Sequence, residues 1–496
     1  MELDHETCYR ALVARDVRFD GVFFVGVKTT GIYCRPICTA RTPRRASCRF
    51  YPSAAAAEGE GFRPCLRCRP ELSPGQAPVD AAGRIAAAVA ARIEAGALND
   101  GGTIDALADE FQLCSRQLRR VVRSELGVSP VALAQTHRLL LAKRLLSETR
   151  LPAAQVAFAS GFGSVRRFNA VFHARYRLSP LQLRRSRMAP ESGAALRLSL
   201  AYRPPLAWDA LLSFLAARAT PGVECVSGQT YCRTVAVGSH RGWISASPVA
   251  GRSIISVEIS NSLVPALGSV LASLKNLFDL NARPDVIAER LAADRRLATL
   301  IARQPGLRTP GACSGFELAV RAVLGQQISV RGASTLSGRL AAALGEPIET
   351  TLAELSRVAP TAERLASASR QELCRAGMTS ARADCLRALA RSVADGRLQL
   401  APTAAPETVI EQLRELPGIG DWTAQYIAMR ALRWPDAFPA ADLGLRKALE
   451  MPSARDVLAA AEAWRPWRAY AAMHVWNSLT ARQPVIHPKR TTRKSA

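Results

Sequence analysis

Two close pairs of cysteines constrain this chain more than any other feature. Cys34-Arg35-Pro36-Ile37-Cys38 is followed, about 26 residues later, by Cys65-Leu66-Arg67-Cys68. Thiolates at that spacing suit one tetrahedral Zn2+ held by Cys34, Cys38, Cys65 and Cys68. On spacing alone, a zinc that only holds a fold together is the default reading. The first residues, Met1-Glu2-Leu3-Asp4-His5-Glu6, are acidic and lack an apolar run, so they do not read as a secretory signal. Arg or Asp interrupts every Ala-rich stretch before it could span a bilayer, so no membrane partner is expected. The 12 cysteines are therefore expected in a reducing cytoplasm, where close pairs bind metal rather than form disulfides.

Length and charge bound the rest. At roughly 100–200 residues per domain, 496 residues imply three to five domains. A hydrophobic content of 48% argues against a mainly disordered chain. The excess of 66 Lys+Arg over 41 Asp+Glu favours a polyanionic partner, nucleic acid before a membrane surface. Proline- and glycine-rich stretches at 69–78 and 188–193 read as linkers. Near Arg303-Gln304-Pro305-Gly306 the pattern changes. Alternation in Arg233–Val237 and Ile254–Ile259 predicts strands before it, and helical spacing follows it. The end, His487-Pro488-Lys489-Arg490-Thr491-Thr492-Arg493-Lys494, is a basic tail.

The segment between the linkers repeats after about 50 residues. Leu118, Val122, Leu126, Ser129 and Pro130 recur as Phe168, Phe172, Tyr176, Ser179 and Pro180. Each copy reads as two helices with a tight turn, the second opened by Ser115 or Ser164 as N-cap. Arg116, Arg119, Arg120 and Arg123 in one copy, and Arg166, Arg167 and Arg175 in the other, would give basic helix faces for a DNA groove. Further on, Leu416-Pro417-Gly418-Ile419-Gly420-Asp421-Trp422 places two glycines in a short loop between helices. Backbone N–H groups of Gly418 and Gly420 could then approach a phosphate.

Family resemblances sharpen these readings. Thr29–Pro36 and Gly61–Cys68, with the cysteines, resemble the N-terminal domain of Ada, the bacterial adaptive-response regulator. The resemblance implies that Cys34 is a zinc-bound nucleophile taking a methyl group from a DNA methylphosphotriester, once per protein. Cys38, Cys65 and Cys68 complete the zinc site, and Arg35 and Arg41 contact phosphate. Loss of one thiolate charge would take the cluster from a formal −2 to −1 and strengthen DNA binding. Gly161-Phe162-Gly163-Ser164, Phe168, Phe172 and Leu178-Ser179-Pro180 resemble the paired helix-turn-helix domain of AraC-type activators. That implies promoter DNA and RNA polymerase as partners. The Pro-Cys-His-Arg run of an O6-methylguanine methyltransferase is absent, so that activity is not expected.

Residues 197–482 resemble AlkA, the 3-methyladenine DNA glycosylase II family. Leu206-Ala207-Trp208, Phe214–Ala219, Phe278-Asp279-Leu280, Gly325–Ser329, the glycine hairpin, Phe438–Leu445 and Trp464–Arg468 carry the match. It implies that Asp442 stabilises the sugar cation formed as an alkylated base leaves. Trp422 and Trp476 would wall the base pocket, and Gln327 would stand at the wedge that fills the flipped base's space. The hairpin position of the lysine in bifunctional members is Trp422 here, which implies a monofunctional hydrolase. The plainer alternative for Asp442 is a helix N-cap before Leu443-Gly444-Leu445, and both roles could hold in part.

The reading is a multidomain α+β protein. A small zinc-bound α/β module (1–75) precedes an all-α double helix-turn-helix (80–186). A mixed α/β subdomain (195–303), an all-α helix-hairpin-helix domain (304–482) and the tail (483–496) follow. Its expected work is alkylation sensing, transcription regulation and base excision on double-stranded DNA, in a bacterial cytoplasm at the nucleoid. The alternative is a methylation-triggered regulator whose last part only binds DNA.

Overall fold

The computed structural model describes residues 4–73, 84–185 and 195–480. Residues 74–78 of the first linker, the second linker 188–193 and the tail 483–496 lie outside the described residues. Among the described residues no helix is long and apolar enough to cross a membrane.

The cysteine-bearing part is a four-stranded sheet, order β3-β1-β2-β4. Its strands are β1 (Phe24–Val27), β2 (Ile32–Cys34), β3 (Cys48–Tyr51) and β4 (Arg63–Pro64). β1 and β2 form an antiparallel hairpin, while β4 joins β2 in parallel. Gly26 in β1 has a steric cause: a Cβ there would come 2.7 Å from the Tyr51 ring and 3.0 Å from Phe62.

Helices Ser115–Leu126 and Val165–Tyr176 are the second helices of two helix-turn-helix units. Leu118, Val122 and Leu126 are buried in one, and Phe168, Phe172 and Tyr176 in the other, at the helical spacing of the repeat. Ser164 caps its helix by accepting the Arg167 N–H. In the first copy Cys114 occupies the N-cap. Ser115 is the first helical residue, with its hydroxyl turned to Asp105. The expected Ser115 cap is thereby shifted by one residue, because the Gln117 side chain takes the Cys114 N–H at 3.1 Å.

Helix Pro130–Glu148 separates the two units and is buried on several faces. One face shares a core with the zinc module, where Ala55, Ala57 and Phe62 meet Leu118, Val122 and Leu133. The other joins Leu139 and Leu145 to Leu198, Leu200 and Ile255 of the next part. That part is a five-stranded antiparallel sheet, order β5-β9-β8-β7-β6. The strands are β5 (Ala195–Ala201), β6 (Glu224–Ser227), β7 (Thr230–Val237), β8 (His240–Pro248) and β9 (Ile254–Ser260). Helices Trp208–Ala217 and Leu267–Leu277 pack on it through Leu211, Leu215, Leu267 and Leu274. The remainder is helical and holds two cores. One contains helix Asp421–Arg430 and the other helix Leu443–Leu449. Trp476 packs against both.

A helix buried on several faces must bury its charges too. Lys143 and its partner Glu71 are each 1% exposed and lie 2.6 Å apart. Lys143 also donates to the Cys65 carbonyl at 3.3 Å. An unpaired buried charge costs more than the pair is worth. Glu71 would keep Arg69 at 3.1 Å but lose the Lys143 donor, so Lys143→Met should lower the urea midpoint by the equivalent of about 1–3 kcal/mol. The double variant Lys143→Met with Glu71→Met should recover the larger part.

Candidate functional site

The strand register assembles the cysteine cluster. Cys34 ends β2, Cys65 directly follows β4, and the parallel pairing of Tyr33 with Pro64 sets the two side by side. The Cys65 N–H donates to the Tyr33 carbonyl at 3.0 Å. Cys38 is returned by a turn in which its N–H donates to Arg35 O at 3.1 Å. The four sulfurs of Cys34, Cys38, Cys65 and Cys68 lie within 4.8 Å of one another. Zn–S bonds of about 2.3 Å in a tetrahedron need sulfurs about 3.8 Å apart, so the set fits one Zn2+. Left to themselves, the other three sulfurs and burial push the Cys34 thiol up. A divalent cation at their centre reverses that and makes thiolates the stable form. The Arg35 N–H, 3.4 Å from the Cys68 Sγ, is placed to support such an anion.

Arg35 does not offer its side chain to DNA. It is 7% exposed, its Nε donates to Asp20 Oδ1 at 2.8 Å, and its Nη1 donates to Cys68 O at 3.1 Å. The expected phosphate contact is a buried ion pair that braces the cluster, because Asp20 is buried beside it and needs a cation. Arg41 is exposed. So is Arg67, inside the second cysteine pair, which the sequence reading passed over.

Arg116, Arg119, Arg120, Arg123, Arg166 and Arg167 are all exposed on the two second helices. Arg175 is not part of that free face. Its Nη1 donates to the Glu58 carbonyl at 2.6 Å, and Nε lies 3.5 Å from the Glu58 carboxylate. Glu58 also accepts from Tyr33 OH at 3.0 Å and Thr136 Oγ1 at 2.9 Å. It therefore ties β2 of the zinc module to the connecting helix Pro130–Glu148 and to the second helix-turn-helix unit.

The second centre forms around Asp442. Its Oδ2 accepts from Trp422 Nε1 at 2.9 Å and its Oδ1 from Trp476 Nε1 at 2.9 Å. Oδ1 also accepts the Leu445 N–H at 2.9 Å, so Asp442 is the N-cap of helix Leu443–Leu449 as well. Three N–H donors fix a carboxylate at the positive end of a helix. The tryptophans expected as pocket walls hold the acid through their indole N–H groups. Tyr426, one turn after Trp422, stacks on it with centroids 5.3 Å apart and planes 7° apart. Its spacing of four from Trp422 was the available signal for this third aromatic.

The hairpin glycines differ. Gly418 has φ +82, with Cys385 on its would-be Cβ side at 3.4 Å, while Gly420 faces open space. Gln327 is exposed at φ +56, a conformation that costs a non-glycine residue energy. Its neighbour Gln326 is the clamped residue. Gln326 Nε2 donates to Gly418 O at 2.8 Å and Thr423 Oγ1 at 3.1 Å, and Arg382 donates to its carbonyl.

Comparison with known proteins matches four sequence families. Residues 7–71 match the metal binding domain of Ada, and residues 107–186 a helix-turn-helix domain. Residues 197–314 match the AlkA N-terminal domain, and residues 320–462 the HhH-GPD superfamily of base excision DNA repair proteins. A probable bifunctional transcriptional activator/DNA repair enzyme AlkA of Mycobacterium tuberculosis is 40% identical over 490 residues, covering 97% of each chain. DNA-3-methyladenine glycosylase 2 of Escherichia coli is 36% identical over 278 residues, covering 56% of this chain and 96% of its own. Among solved structures, the 3-methyladenine DNA-glycosylase from Archaeoglobus fulgidus shares the fold. Its TM-score is 0.50 at 23% identity, over 56% of this chain and 97% of that one. The chain therefore belongs to the family of bifunctional transcriptional activator/DNA repair enzymes in which an Ada metal-binding domain and a helix-turn-helix domain precede an AlkA-type base-excision domain.

Proposed function

We propose that this protein senses methyl damage on DNA at Cys34, activates transcription through its paired helix-turn-helix units, and excises alkylated bases such as 3-methyladenine at Asp442. The observation that carries the excision reading is the Asp442 carboxylate held between Trp422 and Trp476 by three N–H donors. Cleavage of an N-glycosidic bond leaves positive charge on the sugar. A carboxylate already fixed in place meets that charge without reorganising. The target base must leave the stack, and a cationic, electron-poor base gains by lying on indole faces. The hairpin 416–420, with Gly418 and Gly420, would hold the flanking phosphate.

Zinc, when bound, supplies the charge that keeps Cys34 a thiolate at neutral pH. Cys34 Sγ then attacks the methyl carbon of a methylphosphotriester. A sulfur–carbon bond forms, the carbon–oxygen bond breaks, and the electron pair leaves on an ordinary phosphodiester. The thioether is stable, so each chain reacts once. Arg41 is the remaining candidate for the phosphate at this centre. Arg116, Arg119, Arg120, Arg123, Arg166 and Arg167 face promoter DNA, and the same domain meets RNA polymerase. No lysine stands at Trp422, so excision leaves an intact abasic site in this reading.

Three outcomes are expected. Metal analysis should find one zinc per chain, and Cys68→Ser should lose it. Incubation with methylphosphotriester DNA should add a single methyl group to the Cys34 peptide by mass spectrometry, and operator affinity should then rise. Equal affinity before and after would refute the charge switch. On methylated duplex, Asp442→Asn should release 3-methyladenine about 10²–10³-fold more slowly than wild type. Strand breaks should appear only after alkali. Breaks formed without alkali would overturn the monofunctional assignment.

A further inference from the structure

Arg430, the last residue of helix Asp421–Arg430, is a buried cation at 4% exposure. No carboxylate lies within ion-pair distance of it among the described residues. A buried charge without a counter-ion is costly unless every donor is used. Here each nitrogen of the guanidinium makes a hydrogen bond. Nε donates to Pro310 O at 2.9 Å and Nη2 to Gly311 O at 3.0 Å. Nη1 donates to the Tyr426 hydroxyl oxygen at 2.8 Å. Its carbon also sits 5.0 Å from the Phe214 ring centroid and 5.6 Å from that of Tyr426, where ring faces favour a cation.

These contacts link two places. Pro310 and Gly311 belong to the segment joining the mixed subdomain to the helical one, and the Gly311 N–H donates to Leu277 O at 3.0 Å. Tyr426 stacks on Trp422, and Trp422 holds Asp442. A methionine could fill the same volume without desolvating a charge, so packing alone does not explain an arginine here. We propose that Arg430 is a positioning residue for base excision, acting through Tyr426 and Trp422 on Asp442 and anchoring all three to the joint between the two subdomains. This rests on the reading of Asp442 as the carboxylate of excision.

The arrangement leaves a signature beyond packing. Tyr426 is faced by Arg430 on its own helix, by Arg218 after helix Trp208–Ala217 and by Arg321 on helix Gly315–Leu324. Behind these, Asp442 acts on Arg218 and Glu224 on Arg321. Burial pushes the phenol up, but Arg430 first, then Arg218 and Arg321, bring it down to about 8. The phenolate therefore forms as pH rises through that value. Losing Arg430 should move the step upward.

The test compares wild type, Arg430→Met, Arg430→Lys, Tyr426→Phe and Asp442→Asn in the full chain. Two readouts are used: single-turnover release of 3-methyladenine and ultraviolet titration of tyrosinate. In Arg430→Met, release should slow about 10–100-fold at saturating DNA, as expected for a misplaced acid. The titration step near 8 should move up by roughly one unit or more. Arg430→Lys keeps the charge but not the fork, so it should restore the titration more than the rate. Tyr426→Phe should abolish the step and slow release, which keeps the proposal testable if Arg430→Met does not fold. Wild-type rate and an unmoved step in Arg430→Lys and Arg430→Met would overturn it. Unimpaired release by Asp442→Asn would instead overturn the carboxylate reading. The titration would still report on Arg430.

Discussion

Buried ion pairs close the joints between the parts of this chain, and the relative placement of its two centres depends on them. At the first joint Arg35 pairs with Asp20, and the Asp20 carbonyl accepts from Arg203 Nε at 2.9 Å. Arg203 is 1% exposed and belongs to the mixed subdomain, where the Arg308 guanidinium donates to its carbonyl at 2.6 Å. A second joint runs through helix Pro130–Glu148. Lys143 holds Glu71, Arg69 pairs with Glu71 and Glu148, and Glu148 takes the Ser199 N–H at 3.1 Å. A third is the half-buried Lys275–Glu94 pair, beside a Ser269 hydroxyl donated to Ala95 O. Such pairs add little net stability when complete, but a half-broken pair is expensive. These contacts link the cysteine cluster to the glycosylase half through Asp20, Arg203 and helix Pro130–Glu148.

This bears on how the charge of +25 is understood. From sequence, every arginine counts toward a DNA-facing surface. In the structure several do not. Arg35, Arg203, Arg308 and Arg430 are all buried, and Arg175 is spent on Glu58. Periodicity marks which helix face is apolar, but it does not mark an arginine that enters a core to cap carbonyls from a distant segment. Arg430 reaches carbonyls 119 and 120 residues away. No local pattern encodes that.

What was legible followed from chemistry with a fixed spacing. The cysteine pairs and the five positions that recur after about 50 residues could be located because metal geometry and helical pitch leave few alternatives. Asp442 and Trp422 were nameable, yet their relation was not. The same tryptophan can wall a pocket or hold an acid, and only the fold shows that the Trp422 and Trp476 indoles both do the second. Gln326 and Gln327 show the limit most clearly. They are adjacent and chemically identical, but one is bonded to the hairpin and the other is exposed at positive φ. A backbone angle separates them, and composition carries no trace of it.

Both centres share an electrostatic difficulty, and the same logic answers it. A four-thiolate zinc cluster carries a formal −2, and Asp442 presents a carboxylate. Each must approach a polyanion that repels it. In the proposed reading, exposed arginines on the two second helices supply attraction that is indifferent to damage. Discrimination then comes from the anionic centres themselves. A methylphosphotriester is the one backbone position without a charge, so the cluster meets least repulsion there. A cationic methylated base is the one base whose departing bond already bears the charge that a fixed carboxylate stabilises. Negative charge held in place, by N–H donors at Asp442 and by zinc at the cysteine cluster when it is bound, then rejects intact DNA at both centres. Lesions are accepted because methylation has removed a negative charge or added a positive one. Rigid holding is what this requires. A carboxylate free to rotate away, or a thiolate free to protonate, would lose the repulsion that makes undamaged DNA a poor substrate.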